Sequence, residues 1–178
     1  MEVLYMCRYV LTGGPCAGKT TTLNILALRG YRIVSETARE IIEKEVAKGS
    51  DVLPWKNPKK FQEAVAWKQL WKEFTVGGDM PIFFDRGLND GYGYSVLEKV
   101  TPPKIITWFG KNRYDKIFLL DPLPFYELDD SRMEDQSFAY AVHEEIRKAY
   151  IRFGYGVIIV PVLPPKERAH FIVERLKY

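Results

Sequence analysis

Gly13-Gly14-Pro15-Cys16-Ala17-Gly18-Lys19-Thr20 matches G-x-x-x-x-G-K-[ST], the pattern of a loop that cradles phosphates. The setting agrees with the pattern. Tyr9-Val10-Leu11 before it is a short β-prone apolar run. In Thr21-Thr22-Leu23-Asn24-Ile25-Leu26-Ala27-Leu28 after it, Leu23, Leu26 and Ala27 fall at helical spacing. Strand, glycine-rich loop and helix in that order predict an α/β chain built outward from a parallel sheet.

The residue types follow from the chemistry. Backbone N–H groups approach phosphate oxygens closely only where side chains are absent, as at Gly13 and Gly18. The loop opens into a helix N-terminus, whose unpaired N–H groups and dipole favour anions. The expected nucleotide-binding set is Gly13, Gly14, Pro15, Cys16, Ala17, Gly18, Lys19, Thr20 and Thr21. Within it Lys19 reaches the β- and γ-phosphates, the Thr20 hydroxyl ligates Mg²⁺, and Thr21 lies near the α-phosphate.

Composition narrows the class. Apolar residues make up 47% of the 178, enough for one domain with a sizeable core over residues 1–178. The net charge of +3 is too small an excess to indicate nucleic acid as a partner, although it suits an anionic substrate. No run of about 18 apolar residues occurs, so no membrane span is expected. Met1 to Met6 lack the pattern of a signal peptide, which makes the cytoplasm the expected location. Two cysteines make no disulfide framework; Cys7 suits the first strand and Cys16 lies in the loop. The oligomeric state is left open.

Outward from the loop, Gly30 stops the first helix and Tyr31 to Val34 form a second strand. Thr37 and Glu40 fit a capping box that opens a helix running to Gly49. Glu36 thereby stands at the carboxyl end of a strand, the edge where open α/β sheets bind ligands. From Lys59 to Thr75 the pattern is helical, with Phe61, Val65, Trp67, Leu70, Trp71 and Phe74 expected to face the core. Gln62, Gln69 and Glu73 beside that wall could hold a planar substrate. Pro81 to Phe84 is a buried strand ending in Asp85-Arg86-Gly87. A carboxylate there suits Mg²⁺ or its water shell, and Arg86 suits a transferring phosphoryl group. Residues 88–110 read as loop and helix. Lys116 to Leu120 is a fourth strand, and residues 122–136 read as a lid whose Arg132 brings positive charge over the phosphates. Ser137 to Phe153 is a helix with Tyr140, Ile146, Ala149 and Tyr150 on one face; it carries His143, read as structural or exposed, and Arg147, a weaker candidate for phosphate contact. Val157 to Val160 and a helix from Pro165 complete five strands alternating with helices.

Several stretches together resemble the P-loop family typified by the ribosylnicotinamide kinase domain of the bacterial regulator NadR. They are Gly13 to Thr20, Ser35 to Glu40, Phe61-Gln62, Asp85 to Leu88, Leu119 to Pro124, Arg132-x-Glu134, and Gly154-Tyr155 leading to Val160-Pro161. The resemblance implies a three-layer sheet of strand order 2-3-1-4-5 with an Arg-bearing lid. A looser likeness to deoxynucleoside kinases rests on the carboxylate after the second strand, the Phe-Gln pair and the acidic-Arg pair after the third. The adenylyltransferase activity of NadR is not expected of this chain. The family also includes GTP-binding, lipid-associated regulators.

The leading expectation is a small-molecule kinase that transfers the γ-phosphoryl of Mg–ATP, or GTP, to a hydroxyl of a nucleoside-like metabolite. Lys19, Glu36, Asp85, Arg86 and Arg132 are its candidate catalytic residues. Thr20 and Asp85 are the metal ligands, and Glu36, Gln62 and Gln69 bind the acceptor. Either Glu36 or Asp85 acts as the base, with Glu36 favoured because Asp85 is needed at the metal. The alternative is a nucleotide-dependent switch or slow NTPase acting on a protein or membrane partner. Exposed Trp67 and Trp71 would favour that alternative.

Overall fold

The computed structural model describes residues 7–124 and 136–176. β1 (Arg8–Thr12) runs into the glycine loop and α1 (Lys19–Leu28) leaves it. Next come β2 (Arg32–Val34), α2 (Thr37–Ala47), α3 (Pro58–Thr75), β3 (Ile82–Asp85), α4 (Asp90–Leu97) and α5 (Lys104–Phe109). The chain continues through β4 (Lys116–Leu120), α6 (Gln136–Arg152), β5 (Val157–Val160) and α7 (Pro165–Glu174). The strands form one parallel sheet in the order β2-β3-β1-β4-β5, as the resemblance implies.

Alternation along each strand sorts the side chains onto two faces. Tyr9, Leu11, Phe83, Phe118 and Leu120 pack against Leu23 and Leu26 of α1 and Ala169 and Ile172 of α7. Val10, Ile82, Phe84, Ile117 and Leu119 point the other way, onto Val142, Ile146 and Tyr150 of α6. Both faces are covered over β1, β3 and β4, which is why those strands read as unbroken apolar runs, whereas Ile159 of the edge strand β5 is exposed. Each fully buried aliphatic or aromatic side chain contributes about 1.5–3 kcal/mol. A third cluster, Ala66, Leu70, Leu88, Ile105, Ile106 and Phe153, fastens α3 to α4, α5 and the end of α6.

Three local expectations are corrected. On α3 only part of the aromatic stripe faces inward: Phe61 and Leu70 are buried, but Trp67, Trp71 and Phe74 are exposed. The inner stripe is Gln62, Ala66, Gln69 and Glu73 instead. Those polar groups can be buried because each finds a partner inside the protein, described below. The capping box does not form. Glu36 is the N-cap residue of α2 without a side-chain cap bond, while Thr37 Oγ1 donates to Gln69 Oε1 at 2.5 Å. Glu40 turns away to accept from Ser35 Oγ at 2.7 Å and to pair with Lys68 at 2.7 Å and Lys72 at 2.5 Å. On α6, Tyr140 is exposed, unlike Ile146, Ala149 and Tyr150. Of the lid expected over 122–136, residues 125–135, including Arg132, lie outside the described residues.

Candidate nucleotide-binding and phosphoryl-transfer site

The carboxyl ends of the strands meet at one edge, where Thr12 leads into the loop. Glu36 follows β2, Asp85 ends β3 opposite Leu11, and Asp121 follows β4. The loop is packed from behind. A Cβ at Gly14 would stand 2.5 Å from the Ala139 carbonyl oxygen of α6, and one at Gly13, whose φ is +141°, would stand 2.8 Å from that of Leu120. These two glycines are therefore demanded by the neighbouring backbone as well as by the phosphates. Arg168 of α7, fully buried, ties the loop down. Its Nη1 donates to the Ala17 carbonyl at 2.6 Å, Nε to that of Pro161 at 2.9 Å and Nη2 to that of Asp121 at 3.1 Å. Sequence reasoning missed Arg168, because a lone arginine on an amphipathic helix carries no signal of a carbonyl clamp.

Lys19 is buried at the start of α1, with Nζ donating to the Gly14 carbonyl at 2.8 Å and the Gly13 carbonyl at 3.3 Å. Burial, then the cationic Arg86, bring its pKa down to about 8, against the pull of Glu36 and Asp85. It is still a cation at neutral pH. Thr20 and Thr21 stand exposed on the first turn of the helix.

Arg86 is the hub of the edge. It holds a positive φ of 67°, which a non-glycine residue adopts only when its surroundings fix it. Its Nε donates to Glu36 Oε1 at 2.7 Å, its Nη1 to the Gly13 carbonyl at 3.0 Å and to Asp90 Oδ1 at 3.2 Å. The guanidinium also lies 5.3 Å from the centre of the Tyr94 ring. Glu36 responds: burial alone would raise it, but Arg86, with Lys19 behind, lowers its pKa to about 2. The carboxylate is thus an anion throughout the physiological range.

Asp90 completes the hub and was not singled out from the sequence. It accepts from Thr12 Oγ1 at 2.5 Å, the Gly87 amide at 3.1 Å and Tyr150 Oη at 2.6 Å, besides Arg86. Gln69 donates to the Arg86 carbonyl at 3.2 Å and to Glu73 Oε1 at 2.9 Å while accepting from Thr37. Its amide is spent inside the protein, so an acceptor molecule reaching it must displace one of these partners. Glu73, also buried, takes Arg113 Nε at 2.7 Å and Tyr114 Oη at 2.6 Å. Gln62 is buried too, its Nε2 donating to Glu98 at 3.1 Å.

Asp85 differs from its neighbours. Its Oδ1 is buried without a hydrogen-bond partner, and burial pushes its pKa up to about 6 although Lys19 and Arg86 oppose this. An orphaned carboxylate oxygen beside a phosphate loop fits a divalent cation. The described residues contain no cluster of three His, Cys, Asp or Glu able to hold an ion alone. Mg²⁺ needs none, since it binds through one or two protein oxygens, substrate phosphates and water. Asp85 and the Thr20 hydroxyl are of the right kind. Proton and cation compete for the same oxygen. We therefore expect the gain in nucleotide affinity from added Mg²⁺ to shrink as pH falls below about 6. Titration calorimetry with and without Mg²⁺ between about pH 5 and pH 8 checks this.

Two residues of α6, His143 and the weaker candidate Arg147, lie apart. His143 is buried on α6, its Nε2 4.0 Å from Asp121, with burial lowering its pKa. Arg147 pairs with Glu144 at 3.1 Å. Both line a cavity of about 490 Å³ along β5 rather than the loop.

Comparison with known proteins bears on the fold. No curated protein sequence matches the chain. Among solved structures, deoxyadenosine kinase from M. mycoides, with dCMP and dCDP bound, superposes with a TM-score of 0.65 at 16% identity, covering 95% of this chain and 97% of that one. A NadR protein in complex with NR gives 0.70 at 18% identity, covering 97% of this chain but 50% of its own, so the chain spans about half the length of NadR. Shikimate kinase from Aquifex aeolicus gives 0.53 at 19% identity, covering 96% of each chain. At these identities the likeness is one of fold, that of P-loop kinases. The family is settled separately: the model of an AAA domain matches residues 8–168, and the chain belongs to that family.

Proposed function

We propose that this protein is a Mg-dependent small-molecule kinase that transfers the γ-phosphoryl of ATP, or GTP, to a hydroxyl of a nucleoside-like metabolite. The observation that carries the reading is the convergence of Lys19, Glu36, Asp85 and Arg86 on one sheet edge. The orphaned oxygen of Asp85 beside the loop supports a cation at that place.

Phosphoryl transfer demands positioning and charge stabilisation more than covalent help from the protein. Lys19 and the loop amides would hold the phosphates, and Lys19 would leave the Gly13 and Gly14 carbonyls to do so. Mg²⁺, held by Thr20 and Asp85 directly or through water, would offset phosphate charge. Glu36, kept anionic by Arg86, would accept the hydrogen bond of the acceptor hydroxyl and aim its oxygen at the γ-phosphorus. Its low pKa makes it a weak base, which suffices if the proton leaves late, as in a loose transition state. Arg86, steadied by Asp90, would lend positive charge beside Gly13. Arg132 is proposed to add charge from the lid, and Gln62 with its aromatic neighbours to line the acceptor side.

The test is nucleotide consumption with Mg²⁺, using ATP and GTP in turn, against nucleosides, ribosides and sugars. A sharp rise with one compound, matched by its phosphorylated product, establishes the kinase. With that acceptor, Glu36→Gln is expected to lower kcat by about 10²–10⁴-fold with nucleotide affinity retained. Full activity in that variant would sink the role of Glu36.

One observation favours a second reading, a nucleotide-dependent switch: Trp67 and Trp71 are exposed, as an interaction face requires. Slow hydrolysis that no compound stimulates, with tight nucleotide binding, would support it.

A further inference from the structure

We propose that Arg168 is a positioning residue for the nucleotide: from α7 it aims the Gly18 N–H at the phosphates and sets a positive charge behind them. The inference rests on the nucleotide-binding half of the reading above, and it holds whether the nucleotide is turned over or only held.

The clamp has a direction. Arg168 Nη1 donates to the Ala17 carbonyl at 2.6 Å. The peptide bond from Ala17 to Gly18 is trans, so its C=O and N–H point to opposite sides. Fastening the carbonyl toward α7 therefore turns the Gly18 N–H away from α7. No acceptor among the described residues takes that N–H. Gly18 is the N-cap residue of α1, and the unpaired donors where a helix opens are the ones that phosphate oxygens accept from. A Cβ at Gly18, whose φ is +79°, would stand 3.3 Å from Nη1, so the guanidinium lies directly against this turn. The other two nitrogens hold the ends of two strands: Nη2 donates to the Asp121 carbonyl after β4, and Nε to the Pro161 carbonyl after β5. The loop is thereby fastened to the sheet, and the peptide between Ala17 and Gly18 cannot turn over without breaking the bond from Nη1.

The charge points to an anion. A guanidinium wholly removed from water ordinarily has a carboxylate beside it. Fully buried Arg168 gives each of its nitrogens to a neutral carbonyl instead, and among the described residues no carboxylate lies within ion-pair distance of it. Burial lowers its pKa, and the Asp121 carboxylate opposes this only from further off. A tie between backbone segments needs donors but not a full charge. The protein thus holds a buried cation short of an anion, against the loop whose glycines admit phosphate. A bound polyphosphate supplies the missing charge.

Inorganic pyrophosphate is the probe, because it fills the loop without a base or an acceptor. In the ¹⁵N-labelled full chain, the Gly18 amide proton is expected to move downfield when pyrophosphate is added, the signature of a new bond to a charged oxygen. By calorimetry, Arg168→Met is expected to weaken pyrophosphate, ATP and GTP alike by at least about tenfold. Arg168→Lys, which keeps a cation for the Ala17 carbonyl, is expected to recover most of that loss. Both are measured well below their thermal midpoints; if Arg168→Met does not fold, Arg168→Gln replaces it, and the wild-type amide decides independently of any variant. A Gly18 amide that ignores bound pyrophosphate would overturn the inference alone. So would Arg168→Met binding as tightly as wild type, or Arg168→Lys losing as much as Arg168→Met, the result of a purely structural clamp. A wild-type chain that binds none of the three anions would bring down the nucleotide reading and this inference with it.

Discussion

Lys19→Ala is expected to weaken nucleotide triphosphate binding by about 10- to 150-fold, the loss of a charge-assisted contact worth roughly 1.5–3 kcal/mol, and to leave no measurable turnover. Misfolding would not explain the result. The ammonium is buried, and its pKa stands at about 8 in the folded chain, below the ordinary lysine value of 10.5. A lysine whose folded pKa is depressed subtracts from stability at every pH below that ordinary value, because the unfolded chain holds the proton more tightly. Removing it relieves that burden. The two hydrogen bonds it forfeits go to the Gly13 and Gly14 carbonyls, and the Gly13 carbonyl keeps Arg86 as a donor. We expect an unchanged or higher thermal midpoint together with the binding loss, measured by calorimetry on one preparation. A lowered midpoint would mean that Lys19 shapes the loop.

Asp90→Ala is expected to lower stability by about 3–5 kcal/mol, the cost of stripping a buried charge of its partner. Four donors converge on this carboxylate: Thr12 Oγ1, the Gly87 amide, Tyr150 Oη and Arg86 Nη1. Without it two hydroxyls and an amide inside the protein lose their acceptor, and the Arg86 guanidinium keeps only Glu36 and the Gly13 carbonyl. Asp90→Asn retains one carbonyl oxygen and is expected to cost less. Urea unfolding followed by far-UV circular dichroism measures both. An alanine variant within about 1 kcal/mol of the parent would show that water replaces Asp90 and that the hub is not a structural unit.

The sheet and the phosphate loop could be read from sequence because both are local. A glycine loop between an apolar run and a helical pattern fixes its own conformation, and strands covered on both faces appear as unbroken apolar runs. What could not be read was direction around a helix. On α3, Gln62, Ala66, Gln69 and Glu73 repeat at the same three-and-four spacing as Trp67, Trp71 and Phe74. The period identifies a helix but is silent on which stripe is inside. Hydrophobicity suggested the tryptophans; the structure instead buries the amides and the carboxylate, because Thr37, Arg86, Arg113 and Tyr114 arrive from distant parts of the chain to meet them. Asp90 and Arg168 escaped notice for the same reason. Each takes its meaning from contacts far away in sequence, such as the 151 positions between Arg168 and Ala17. Glu36 and Asp85 could be found because strand ends are themselves legible.

The bond from the Lys19 ammonium to the Gly13 and Gly14 carbonyls bears on how nucleotide is captured. A surface lysine meets an anion wearing a full coat of water, and much of the attraction goes into shedding it. Here the shedding is done once, when the chain folds, and an incoming phosphate merely relieves two neutral carbonyls of their guest. The cost of stripping water from the ammonium is therefore carried by the stability of the folded chain and not by its affinity for the anion.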